Sequence, residues 1–85
     1  MTYDIEWSKK AFTQMEYLQN NIKERILSVL DRARVRPEAY FEKLVGDPGY
    51  KMKVGKYRVI ADIDKGKLVI LIIKVGHRKN IYKNS

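Results

Sequence analysis

The chain has 85 residues, 18 Lys or Arg against 10 Asp or Glu, and no cysteine. At this length one domain spanning residues 1–85 is expected, burying only about 60% of the surface its unfolded chain exposes, with no disulfide or thiolate metal site to support it. The longest apolar run, Leu68 to Ile73, is far too short to cross a bilayer and no basic-then-apolar leader opens the chain, so a soluble, cytoplasmic protein without a membrane partner is expected.

Thr2 to Trp7 alternates Tyr3, Ile5 and Trp7 with Thr2, Asp4 and Glu6, the period of a half-buried strand. Ser8 is placed to N-cap a helix whose apolar positions, Ala11, Phe12, Met15 and Leu18, recur at three and four residues. Asn20 and Asn21 interrupt it. Asn21 with Glu24 resembles a capping box opening a second helix, with Ile22, Ile26, Leu27, Leu30 and Ala33 as its stripe and Pro37 beyond its end. The two helices are expected to form an antiparallel hairpin whose apolar faces need a sheet. Pro37 to Gly49 reads as irregular, with Tyr40, Phe41 and Leu44 against the core and Asp47, Pro48 and Gly49 turning the chain.

Strands resume after Gly49. Val54, Gly55, Lys56 and Tyr57 fit a two-residue hairpin with Gly55 at the first central position, the type II′ signature. That turn sets Lys53 opposite Arg58, Met52 opposite Val59 and Lys51 opposite Ile60. A second two-residue turn at Asp64, Lys65, Gly66 and Lys67 is expected to oppose Asp64 and Lys67 as a charge pair. Alternation then puts Met52, Val54, Val59, Ala61, Ile63, Leu68, Ile70 and Ile72 on a face for the helices. Lys51, Lys53, Arg58, Ile60, Asp62, Val69, Leu71, Ile73 and Val75 fall on the other. The fold class is α+β: an N-terminal strand, a two-helix hairpin, and a mainly antiparallel three-stranded meander.

The placement of charge says more than its total. Residues 1–50 hold eight Lys or Arg and eight Asp or Glu, whereas residues 51–85 hold ten Lys or Arg against Asp62 and Asp64 alone. An excess confined to one part of a fold points to a polyanion, nucleic acid first. Lys53 opposite Arg58, with Lys51 two residues along on the same face, sets like charges side by side, which costs stability unless an anion lies among them. A second cluster, Val75-Gly76-His77-Arg78-Lys79-Asn80-Ile81-Tyr82, follows. Together the clusters hold what RNA cleavage by its own 2′-hydroxyl requires: a proton acceptor, cations around the phosphorane, and a donor for the leaving oxygen. Neither a metal nor another cofactor is called for. Lys56, Lys79 and Lys83 are the further cations expected to contact RNA or ribosome.

The stretch Lys43-Leu44-Val45-Gly46, then Tyr50 through Ile60, then Val75-Gly76-His77-Arg78 and Ile81-Tyr82, resembles the RelE branch of the RelE/ParE toxin superfamily. That resemblance implies an mRNA interferase that cuts mRNA in the ribosomal A site, leaves a 2′,3′-cyclic phosphate, and is neutralised by a RelB-like antitoxin. By position it also implies that Lys51 and Lys53 are paired catalytic lysines, Arg58 a phosphate-stabilising arginine, Arg78 a second active-site arginine and Tyr82 the C-terminal tyrosine. Tyr82 or a lysine would serve as base only where neighbouring cations favour its deprotonated form. Tyr82 follows Arg78 by fewer residues than in ribosome-dependent relatives, which leaves His77 to share or replace its proton transfer, since imidazole titrates near neutrality. Some relatives carry a C-terminal helix where the antitoxin of others docks, and on that basis Ile60, Leu71 and Ile73 are expected to line part of an antitoxin groove. Two other readings compete. One is a ParE-like poison of DNA gyrase, against which Lys51 and Lys53 argue; the other is a basic module that holds RNA without cutting it.

Overall fold

The computed structural model describes residues 1–82. Among them the elements run β1 (Asp4–Trp7), α1 (Lys9–Glu16), α2 (Asn20–Ala33), a 3-10 turn (Pro37–Ala39), β2 (Phe41–Lys43), β3 (Tyr50–Val54), β4 (Tyr57–Asp64) and β5 (Val69–His77). The strands form one mixed sheet in the order β1-β5-β4-β3-β2, with β1 parallel to β5 and the other pairs antiparallel. Ala11 and Met15 of α1 and Ile26, Leu30 and Ala33 of α2 are buried in one cluster with Met52, Val54, Val59, Ala61, Ile70 and Ile72 of the sheet. That is the expected α+β layering, with one sheet face under the helices. No helix among the described residues is long and apolar enough to cross a membrane.

The Gly55 hairpin forms as its residues dictate. Gly55 takes φ +59, and Val54↔Tyr57, Lys53↔Arg58, Met52↔Val59 and Lys51↔Ile60 pair across it. Ser8 caps α1, its hydroxyl oxygen accepting the Ala11 N–H at 3.0 Å.

Other local expectations give way to tertiary demands. Helix α2 starts at Asn20 with Gln19 as its N-cap and no side-chain cap, so the Asn21–Glu24 box does not form. Phe12 (58% exposed) and Leu27 (48%) leave the core stripes for solvent. Phe41 is buried, but the segment read as irregular contributes a strand: Phe41↔Met52, Glu42↔Lys51 and Lys43↔Tyr50 add β2 to the sheet edge. The β4–β5 connection is longer than two residues, pairing Asp64 with Val69 and not with Lys67. The Asp64 carboxylate instead accepts the Gly66 and Lys67 N–H groups at 3.0 Å each, a local turn that competes with the tight hairpin. Leu68 closes the connection at φ +56.

The largest correction is in β5. Ile60 pairs with Lys74 but Ala61 pairs with Ile72, so Ile73 is an extra residue, a β-bulge. One inserted residue reverses the alternation beyond it. Val75 therefore joins Val59 in the core at 2% exposure, not the Lys51 face, and Lys74 takes the place on that face beside Ile60. The bulge is clasped from α1. The Ser8 hydroxyl donates to the Ile73 carbonyl at 2.8 Å, and the Gln14 side-chain oxygen accepts the Val75 N–H at 2.8 Å. Backbone groups that lose a strand partner where β1 ends thus find one in the helix.

Ser8→Ala removes both the cap and the Ser8 bond of the clasp and is expected to cost about 1–2 kcal/mol, read as a lower urea midpoint at unchanged slope. A midpoint equal to wild type would contradict the clasp. Leu30→Ala, at a fully packed position, is expected to cost about 2–5 kcal/mol in the same measurement.

Candidate nucleic-acid interface

The register lays out the open sheet face in rows. Glu42, Lys51, Ile60 and Lys74 form one row across β2, β3, β4 and β5. Lys53, Arg58 and Gly76 form the next, toward the hairpin tip. In the other direction lie Asp62 and Leu71 with Glu6, then Asp64 and Val69 with Asp4. The face is therefore basic at the hairpin end and acidic at the far end.

Lys51 and Lys53 come together as expected, and with them an anion that sequence reading missed. Glu42 Oε1 lies 3.7 Å from Lys51 Nζ and 3.8 Å from Lys53 Nζ. The carboxylate relieves the like-charge crowding without burying it, since Lys53 and Glu42 are both largely exposed. Its signal lay in the sequence, but only once Phe41–Lys43 is known to be a strand does Glu42 fall opposite Lys51.

Arg58 stands opposite Lys53, and its Nη1 donates to the carbonyls of Gly55 at 2.9 Å and Tyr57 at 2.8 Å. Those bonds fix the guanidinium over the turn and leave its Nε and Nη2 donors for a ligand. Lys74 is a cation on this face hidden from sequence alternation by the bulge.

The second cluster divides. His77 pairs with Tyr57, and the two rings meet edge to face, centroids 5.5 Å apart at 74°. Both lie on the sheet face opposite Lys53 and Arg58, so the structure separates His77, expected to share or replace the proton transfer of Tyr82, from that pair. Its Nδ1 accepts the Lys79 N–H at 3.1 Å. Arg78 follows at the sheet end, where its N–H donates to the Lys56 carbonyl at 2.8 Å, and its side chain lines a cleft with Arg25 and Lys56. Ile81 is buried, its Cδ1 3.3 Å from where a Cβ on Gly76 would stand, and Tyr82 is exposed just beyond it. Lys79 is exposed, and Lys83 lies outside the described residues. Of the residues expected to meet an antitoxin, Leu71 and Ile73 are half-buried, whereas Ile60 is only 6% exposed and presents little surface.

Residues 5–82 match a family model described as the ParE toxin of type II toxin–antitoxin system, parDE. The chain belongs to this toxin family, within the RelE/ParE superfamily. Among solved structures, the toxin resembles a chain of the Escherichia coli RelBE toxin–antitoxin complex, with a TM-score of 0.77 and 28% identity over 88% of this chain and 95% of that one. It likewise resembles a chain of the RelE–RelB complex of Pyrococcus horikoshii, TM-score 0.76 and 26% identity, covering 94% and 99%. A chain of the RelBE2 complex of Mycobacterium tuberculosis shares the fold at a TM-score of 0.84 and 20% identity, covering 92% and 100%. No curated protein sequence gives a significant match.

In this toxin Glu42→Gln removes the carboxylate between two cations. It is expected to cost less than about 1 kcal/mol of stability, as exposed ion pairs do, and to tighten binding of inorganic phosphate measured by calorimetry at low salt. Unchanged phosphate affinity would show that Glu42 does not occupy the anion's place.

Proposed function

We propose that this toxin is an endoribonuclease that cuts mRNA in the ribosomal A site through the RNA's own 2′-hydroxyl, a route that requires no metal. The observation that carries the reading is the Glu42–Lys51–Lys53 cluster facing solvent with the Arg58 guanidinium pinned opposite it. A scissile phosphate above Lys53 and Arg58 would meet two cations, and the remaining Arg58 donors suit a phosphate's paired oxygens. In this reading Glu42 takes the 2′-hydroxyl proton as the 2′-oxygen attacks phosphorus. Lys51 or Lys53 gives a proton to the departing 5′-oxygen, leaving a 2′,3′-cyclic phosphate. Arg78 adds positive charge at the sheet end, and the exposed Tyr82 ring offers a surface for a base.

Its counterpart would be a RelB-like antitoxin, as in the complexes of the similar toxins. Leu71 and Ile73 are the apolar contacts we assign to it. Because Leu71 lies between Asp62 and Glu6, an antitoxin segment reaching that end would carry basic residues around its apolar anchor.

A ParE-like action on DNA gyrase is the second reading, favoured by the family description. The compensated lysine pair argues against it, since catalysis gives those residues a reason to crowd.

Lys53→Ala and Arg78→Ala are expected to abolish growth arrest and to lower RNA cleavage by about 100-fold or more, with circular dichroism unchanged. Full toxicity of both variants at equal expression would place the active site elsewhere. Inhibition of gyrase supercoiling without RNA products ending in cyclic phosphate would select the second reading.

A further inference from the structure

We propose that the cleft between α2 and the β3–β4 hairpin tip is a second phosphate subsite, which holds the RNA backbone beside the position that is cut. The cleft has a volume of about 500 Å³ and is lined by Arg25, Lys56, Tyr57 and Arg78, with Ile22 at its apolar side. The proposal rests on the endoribonuclease reading above and extends it to a residue, Arg25, on a helix outside the sheet face.

Three observations carry it. Arg25, Lys56 and Arg78 come from three separate elements yet share one cleft, and among the described residues no carboxylate lies within 4 Å of their cationic groups. Lys51 and Lys53 have Glu42 as an internal counter-ion, whereas among the described residues this second set has none. Second, the arrangement is built. The Arg78 N–H donates to the Lys56 carbonyl at 2.8 Å, which fastens the segment after β5 to the hairpin tip, and both residues line the same cleft. Third, the Arg25 guanidinium lies against bare backbone. A Cβ on Gly55 would stand 2.9 Å from Arg25 Nη1, so the guanidinium reaches the turn itself, where the φ of +59 favours glycine.

The ligand follows from these donors. Two guanidinium groups and an ammonium around an open cleft recognise a phosphodiester, and Tyr57 supplies a ring against which a ribose or base can pack. Lys53 and Arg58 sit at the base of the same hairpin, on its open-face side. An RNA strand crossing the tip would set one phosphate over Lys53 and Arg58 and another in the cleft. Two fixed phosphates define the position of the 2′-hydroxyl between them better than one, the orientation that in-line attack requires. Arg25 is thus a positioning residue, and its loss should weaken substrate binding more than it slows the bound complex.

The test measures binding of a 2′-O-methyl RNA hexamer, which cannot be cut, over a range of salt concentrations. A parallel arm uses ribosomes carrying the same blocked codon in the A site. Wild type is compared with Arg25→Gln, Arg25→Lys, Lys56→Gln, Lys53→Ala and, at the far end of the sheet, Lys65→Gln. Arg25→Gln and Lys56→Gln are expected to weaken binding about tenfold and to lower the salt slope by about 0.7 each, one phosphate contact on a single strand. Arg25→Lys should restore the slope in part, and Lys65→Gln should match wild type. Loss in the hexamer arm assigns the phosphate to the substrate strand, and loss confined to the ribosome arm assigns it to ribosomal RNA. Wild-type binding by Arg25→Gln in both arms, while Lys53→Ala loses affinity, overturns the subsite and leaves the cleavage reading standing. Absence of wild-type binding in both arms, together with no cut in ribosomes carrying the unmodified codon, sinks the two together.

Discussion

The hydrogen bonds from Ser8 and Gln14 to the β5 bulge govern the layout of the molecule. Strand β1 is too short to accompany β5 along its whole length, and the backbone beyond Ile72 would lose a partner on that side. The first helix takes over: Ser8 holds the Ile73 carbonyl and Gln14 holds the Val75 N–H. With the extra residue accommodated, the parity of β5 reverses, Val75 completes the core, and Lys74 and Gly76 come to the open face. Gly76 then leaves room for Ile81, whose burial anchors the turn that carries Arg78 and Tyr82. The basic end is therefore a consequence of how the N-terminal strand hands over to its helix.

Charge is organised around the Gly55 hairpin in two different ways. On the open face the lysine pair has its own carboxylate, so the free protein tolerates the crowding and an incoming phosphate must compete with Glu42. On the α2 side Arg25, Lys56 and Arg78 have no such partner among the described residues. A fold selected for stability alone would spread such cations apart. Their concentration at one tip, with an acidic row at the opposite end of the same sheet face, gives the molecule a direction: on the proposed reading RNA meets the hairpin, and a basic, apolar-anchored protein segment meets the end near Leu71.

What was legible in the sequence was what local chemistry decides. Gly55 at the first central position fixed the hairpin and every pair across it, and Ser8 announced its helix, because both signals act within a few residues. The bulge at Ile73 was invisible to alternation, since Val-Ile-Leu-Ile-Ile is apolar in either parity, and Val75 was consequently placed on the wrong face. Strand β2 escaped because three residues carry too little pattern to read. Without it Glu42 could not be set opposite Lys51, so the lysine conflict was recognised while its counter-charge was not. His77 is grouped with Arg78 and Tyr82 by proximity in sequence, whereas pairing with Tyr57 turns it to the helix side. The Asn21–Glu24 box and the Asp64–Lys67 pair each gave way to a competing arrangement, an earlier helix start and a carboxylate-capped turn.

The central claim is that the basic end of this toxin cuts mRNA held in the ribosome. It is tested most directly by primer extension on a defined mRNA incubated with purified protein, with and without ribosomes stalled at a known codon, the ribosome-free arm containing EDTA. The account predicts a new cut within the A-site codon that appears when ribosomes are present. No cut in either arm, from folded protein that still binds its antitoxin, would contradict it.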